Sequence, residues 1–177
     1  MRNSAKARRE TPRPERLVVR DPETDQLLVD KHRISLGDRG FTNDGTQRTW
    51  YPGGGPKTFR EYAHGEPTGH WVTWWPTGLL QSSYVFDPAR ETPMVWWHAN
   101  GIVASEGLAR NGQRVGPWIY RRENGSLESE GSYAGGERDG AWTFYDEDGR
   151  WKERGRYVVG KRVGDWEYAD EPPRFGR

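Results

Sequence analysis

The pattern G-x-x-x-G-x-W occurs four times in this chain, starting at Gly65, Gly112, Gly136 and Gly160. The intervals are 47, 24 and 24 residues, and 47 is 23 plus 24, so one degenerate copy fits the long gap. A fixed period near 24 is the mark of a repeat protein. Each unit is then one supersecondary element that buries its apolar face only against its neighbours.

Setting the copies in register shows what a unit is. Trp118 matches Trp142 and Trp166, and Tyr120 matches Phe144 and Tyr168. Asn124-Gly125 matches Asp148-Gly149 and Asn100-Gly101. Trp118 and Tyr120 are two apart, so they share one face of a strand. Asn-Gly then supplies the positive φ angles of a tight turn, and residues 126–132 return as a second strand. The paired glycines lead to the next hairpin through conformations that a β-carbon would hinder. In the degenerate copy Pro88, Thr92 and Met94 replace the two glycines and the tryptophan. An earlier copy carries Trp71 and Thr77-Gly78, and a partial one lies around Trp50, Tyr51 and Gly54-Gly55. No apolar run of helical period survives the Gly and Pro interruptions after residue 37. The expected fold is all-β: an elongated antiparallel meander of stacked hairpins over residues 49–170, with an N-terminal capping hairpin.

Composition says what holds it together. Large aliphatic residues are scarce, but the chain has ten Trp and eight Tyr, so the core must be aromatic and shared between units. The formal net charge is only +1, so the chain does not repel itself. It has no cysteine, which excludes disulfides and thiolate metal sites and suits a reducing, cytoplasmic setting. No stretch approaches the ~20 apolar residues of a membrane helix.

The ends differ from the repeats. Residues 1–16 are basic and nearly free of large apolar groups, and are expected to be a disordered arm. Residues 17–48 read as a hairpin around Asp21-Pro22-Glu23-Thr24-Asp25 and a connector, able to cap the first repeat. Glu171-Pro172-Pro173 opens a tail, 171–177.

The unit G-x-x-x-G-x-W-x-(aromatic)-x-x-x-(N/D)-G-x-(apolar)-x-x-(E)-G resembles the MORN repeat variant of bacterial YwqK-like antitoxin proteins. The likeness is strongest over Gly112–Tyr168. It implies a row of β-hairpins in a twisted antiparallel sheet with no catalytic centre, acting as a neutralising partner of a toxin or as a scaffold. Many bacterial members carry lipoprotein signals, and this chain lacks the cysteine and apolar segment that such a signal needs.

Three residue sets are candidates for function. Trp71, Met94, Trp118, Trp142 and Trp166, with Trp50, Trp96, Tyr120, Phe144 and Tyr168, read as the shared core. Tyr51, Trp74, Trp97, Arg121 and Tyr145 align one residue off that set, which places them on the opposite face. Tyr, Trp and Arg dominate interface hot spots, so this column is the candidate surface for a protein partner. Arg2, Lys6, Arg8, Arg9, Arg13 and Arg16 form the third set, a basic arm that could contact nucleic acid or an anionic surface. On that alternative reading the chain is a polyanion-anchored subunit and the repeats are a spacer.

Catalytic signals are poor. His32, His64, His70 and His98 lack the spacing of a metal-binding helix. Gly53-Gly54-Gly55 is not followed by the Lys-Ser/Thr of a phosphate loop. No catalytic residue, metal or cofactor is expected.

Overall fold

A computed structural model describes residues 12–169. The strands are β1 (Arg13–Arg20), β2 (Leu27–Ser35), β3 (Phe41–Trp50), β4 (Pro56–Ala63), β5 (Glu66–Trp74), β6 (Leu80–Phe86) and β7 (Glu91–Trp97). They continue as β8 (Val103–Arg110), β9 (Gln113–Arg121), β10 (Leu127–Ala134), β11 (Glu137–Tyr145), β12 (Trp151–Val158) and β13 (Lys161–Tyr168). All 13 join one open antiparallel sheet in chain order. One 3₁₀ turn, Gly37–Arg39, precedes β3. No helix among the described residues is long and apolar enough to cross a membrane.

The expected N-terminal boundaries shift. Arg13–Arg16, placed in the disordered arm, lie in β1. The connector up to residue 48 is largely β3, a full member of the sheet. The first hairpin, β1–β2, stands at the end of the sheet and pairs directly with β3. Residues 1–11 and the tail 171–177 lie outside the described residues.

Two kinds of turn alternate. Along one edge Asn111-Gly112, Gly135-Gly136, Val159-Gly160 and His64-Gly65 all have positive φ at both residues, the signature of a two-residue type I′ hairpin. The first glycine of the repeat motif thus sits in a turn, and the second, as at Gly140 (φ 91°), sits within a strand. Along the other edge the turn is longer. Arg122 O accepts the Gly125 N–H at 2.9 Å, and Arg122 N–H donates to Ser126 O at 2.9 Å. Only Gly125 has positive φ there; Asn124 instead accepts the Ser126 N–H through Oδ1 at 2.9 Å. The expectation that both residues of Asn-Gly take positive φ is corrected accordingly.

Val159 is the misfit among these turns. A β-branched residue at φ 47° crowds its own backbone, and its side chain is 66% exposed, so no packing offsets the strain. Val159→Asn should stabilise the protein by about 1 kcal/mol, read as a higher urea midpoint with an unchanged slope.

The sheet has one layer, and strong contacts join only consecutive strands. Its core lies on one face and towards the C-terminal half: Met94, Ala109, Trp118, Tyr133, Trp142 and Tyr157 are buried. Trp118 and Trp142 are 0% and 1% exposed, although no second layer among the described residues covers them. The burial is local. Tyr133 and Tyr157 flank the Trp142 ring edge-on, with centroids at 5.3 and 6.0 Å. Phe144 lies along the strand at 5.9 Å, and the Arg138 guanidinium lies 4.4 Å from the ring centroid. Gly131 lies opposite, and the indole Nε1–H donates to Ser132 O at 3.0 Å. The arrangement repeats at Trp118 with Gly107, Arg114 and Leu108 O.

Two core expectations change. Tyr168 is 63% exposed, because β13 is the edge of the sheet and no further strand among the described residues covers it. Trp50 does not belong to the core row; Thr49 occupies that row in β3, where it pairs with Thr58.

Candidate interaction face

The core face carries the packed rings, and the column read as a partner surface lies on the reverse face. In β5, β7, β9 and β11 the last residue is Trp74, Trp97, Arg121 or Tyr145, one residue beyond the core row and hence on the reverse face. All four are half-buried. The corresponding residue of β3 is Trp50, not Tyr51. The expected column was one residue out of step there, because Gly53-Gly54-Gly55 offers more than one turn glycine. The structure uses Gly54 (φ 86°), whose N–H bonds to Tyr51 O at 2.9 Å, and this moves Tyr51 into the turn.

Tyr51 has a different task. Its hydroxyl donates to Trp74 O at 2.8 Å. Trp75 Nε1–H donates to Trp97 O at 3.1 Å, and His98 Nε2 lies 2.8 Å from Arg121 O. Arg122 Nη2 donates to Tyr145 O. Each turn therefore clamps the end of the next odd-numbered strand, and the residues so fixed are those of the reverse-face column. The clamp holds their backbone and does not engage their side chains. The series ends at Asp146, whose carboxylate accepts the Arg150 N–H.

The column is polar in its C-terminal half and apolar in its N-terminal half. Arg121 pairs with Glu106 at 2.6 Å. The Tyr145 hydroxyl donates to Glu130 Oε1 at 2.7 Å, and chiefly this bond pushes the phenol up to about 12. Tyr145 is therefore a neutral donor at ordinary pH. Trp50 and Trp74, with Arg48, Pro56 and Phe59, line a hollow of about 190 Å³. Near the other end Tyr145, Trp151 and Arg154 line a wider one of about 670 Å³. Both are shallow surface features that suit side-chain anchors.

The basic arm divides. Arg2, Lys6, Arg8 and Arg9 lie outside the described residues. Arg13 is exposed on β1. Arg16 makes two 2.8 Å bonds to Asp30, and Asp30 is 6% exposed. The Arg16 bond holds the Asp30 carboxyl below the usual range against the opposing effect of burial. Arg16 is thus committed to the β1–β2 pair.

The sequence reading missed two groups. The turn clamps were hidden because their residue types differ from copy to copy. The arginine row at Arg114, Arg138 and Arg162 had a visible signal, since three of the four motif copies read G-x-R-x-G-x-W.

The described residues form a single-sheet β-hairpin repeat with one packed face and a half-buried row of Trp74, Trp97, Arg121 and Tyr145 on the other. No protein-family model and no curated protein matches the chain.

Proposed function

We propose that this chain is a MORN-like, non-enzymatic interaction module that binds a protein partner through its reverse face, as an immunity-type or scaffold protein. One observation carries the reading. Trp74, Trp97, Arg121 and Tyr145 lie in a row, on backbone held by the turn clamps, and no described residue from a second layer covers them. Rigid aromatic anchors with a neighbouring Arg are what interface hot spots are made of, because they bury much area at little entropic cost. Trp50 joins this surface and Tyr51 supports it from the turn. The polyanion reading has less to draw on, since Arg16 is occupied by Asp30.

The test is a Trp74→Ala, Trp97→Ala double variant. Neither side chain is in the packed core, so the near-ultraviolet signature of the buried tryptophans should persist. Stoichiometric capture of a protein from the native cell by the tagged chain should weaken at least ~10-fold, as expected for two hot-spot truncations. Undiminished capture would remove the reverse face from the proposal. Loss of the folded signature would show that the column is structural.

A further inference from the structure

We propose that the core face is a second docking surface, which takes an acidic, extended segment of a partner protein carrying one apolar anchor residue. This is a different face and a different chemistry from the proposed partner surface.

The first observation is unbalanced charge. Arg114, Arg138 and Arg162 lie in one row, 24 residues apart, each over aromatic rings. Arg162 is neutralised by Glu153 through bonds of 2.6 and 3.1 Å. Arg114 and Arg138 have no carboxylate partner among the described residues. Their side-chain bonds go to the hydroxyls of Tyr133 (3.5 Å) and Tyr157 (3.2 Å). Each guanidinium keeps most of its donors free while its inner face is already dehydrated by the ring. Such a group binds a carboxylate in the bidentate mode at reduced desolvation cost.

The second observation is a hollow beside that row. The period places Ala109 where Tyr133 and Tyr157 stand in later copies, and Met94 where Trp118 and Trp142 stand. Next to Met94, where the later copies carry a ring, lies a hollow of about 360 Å³ bounded by Tyr84, Met94, Trp96, Gln113 and Arg114. It can seat one apolar side chain at the end of the arginine row.

The geometry selects among anions. Arg114 and Arg138 stand two strands apart, about 10 Å at the usual strand spacing. A polyproline-II segment advances ~3.1 Å per residue, so every third side chain returns at ~9 Å. An acidic residue at every third position, preceded by an apolar one, fits the hollow and both arginines in turn. Single-stranded nucleic acid needs ring faces on which bases stack. Trp118 and Trp142 are sealed, at 0% and 1% exposure, and offer none.

The probe is a fluorescein-labelled proline-rich peptide with one Phe followed by Glu at every third residue. Its controls are the same peptide with Gln for Glu, an oligothymidine of equal charge, and vesicles of phosphatidylcholine with phosphatidylserine. Anisotropy should show binding of the Glu peptide alone, weakening with salt. Arg114→Gln with Arg138→Gln should weaken it at least 10-fold, while Trp97→Ala on the reverse face leaves it unchanged. Should the double Gln variant fail to fold, the wild-type indole N–H resonances decide. Those of Trp96 and Trp118 should shift on adding the Glu peptide, and that of Trp75 should not. Equal binding of the Gln peptide, binding of the oligonucleotide or vesicles in preference, or shifts at Trp75 alone would overturn the proposal. Failure of the reverse-face variant to lose its partner would leave this result untouched, so the two readings fail separately.

Discussion

Replacing Trp142 by alanine should cost about 3–5 kcal/mol of unfolding free energy, the range for a fully buried large aromatic. The environment places it at the upper end. The indole is enclosed by Tyr133, Tyr157, Phe144 and Arg138, and none of these can collapse into the space without leaving its own strand register. Its Nε1–H bond to Ser132 O is lost as well. Because each unit touches only its neighbours, the loss should loosen β11 to β13 first. Hydrogen exchange should then show lower protection in Glu137–Tyr168 than in Val103–Arg121. Trp166→Ala is the matched comparison. Trp166 is only half-buried, has Tyr157 on one flank alone, and its Nε1 has no acceptor among the described residues, so the same substitution should cost clearly less. Equal losses at the two sites would show that burial does not set the cost.

The second large effect comes from adding one methyl group. A β-carbon at Gly131 would stand 2.3 Å from Trp142 Cδ2 and 2.4 Å from Cε2. The ring lies flat against the glycine and is held on its other sides, so either the indole or the strand must move. Overpacking of this kind costs about 1–3 kcal/mol, and Gly131→Ala should reach the upper end, read as a fall in the denaturation midpoint. The φ angle at Gly131 is not in the left-handed region, so the effect is steric contact with the ring and not backbone strain. Gly53→Ala is the control: no atom lies within 4 Å of its β-carbon position, and the change should stay within about 0.5 kcal/mol. In the double variant Gly131→Ala, Trp142→Ala the clash has no partner. The two effects should therefore be strongly non-additive, the double variant being little worse than Trp142→Ala alone.

These contacts explain the unit. Tryptophan at one position and glycine on the facing strand are a single device, since the missing side chain lets the ring lie on the backbone. The device is present at Gly107, Gly131 and Gly155 against Trp118, Trp142 and Trp166. In the earlier copies Arg60 and Tyr84 stand in the glycine position, each beside Trp71. That is why the packed core lies towards the C-terminal half. The final E-G of the repeat was legible in the sequence as a pattern. Its purpose was not, because the ring it receives lies 11 residues further along the chain, as from Gly131 to Trp142.

The reverse face was legible in part. Trp74, Trp97, Arg121 and Tyr145 were assigned to it by alternation, which depends only on strand geometry. Tyr51 was misplaced because three successive glycines give no local signal for which one turns. The sheet decides, through the pairing of Thr49 with Thr58 and of Trp50 with Pro56. The basic arm shows a similar limit: its charge was visible, but the commitment of Arg16 to a buried carboxylate on the next strand was not.

By itself the sequence determined the period, the all-β meander, the hairpin turns and the aromatic row on one face. Those follow from turn glycines and two-residue alternation, which act within a few residues of chain. The tertiary structure alone decided which glycine carries a ring, which arginines cover the aromatics, and which turn residues clamp the next unit. It also decided that Trp50 takes the place expected of Tyr51. These choices rest on side chains brought together across strands from 10 to 23 residues apart, where only the pairing of the sheet sets who meets whom.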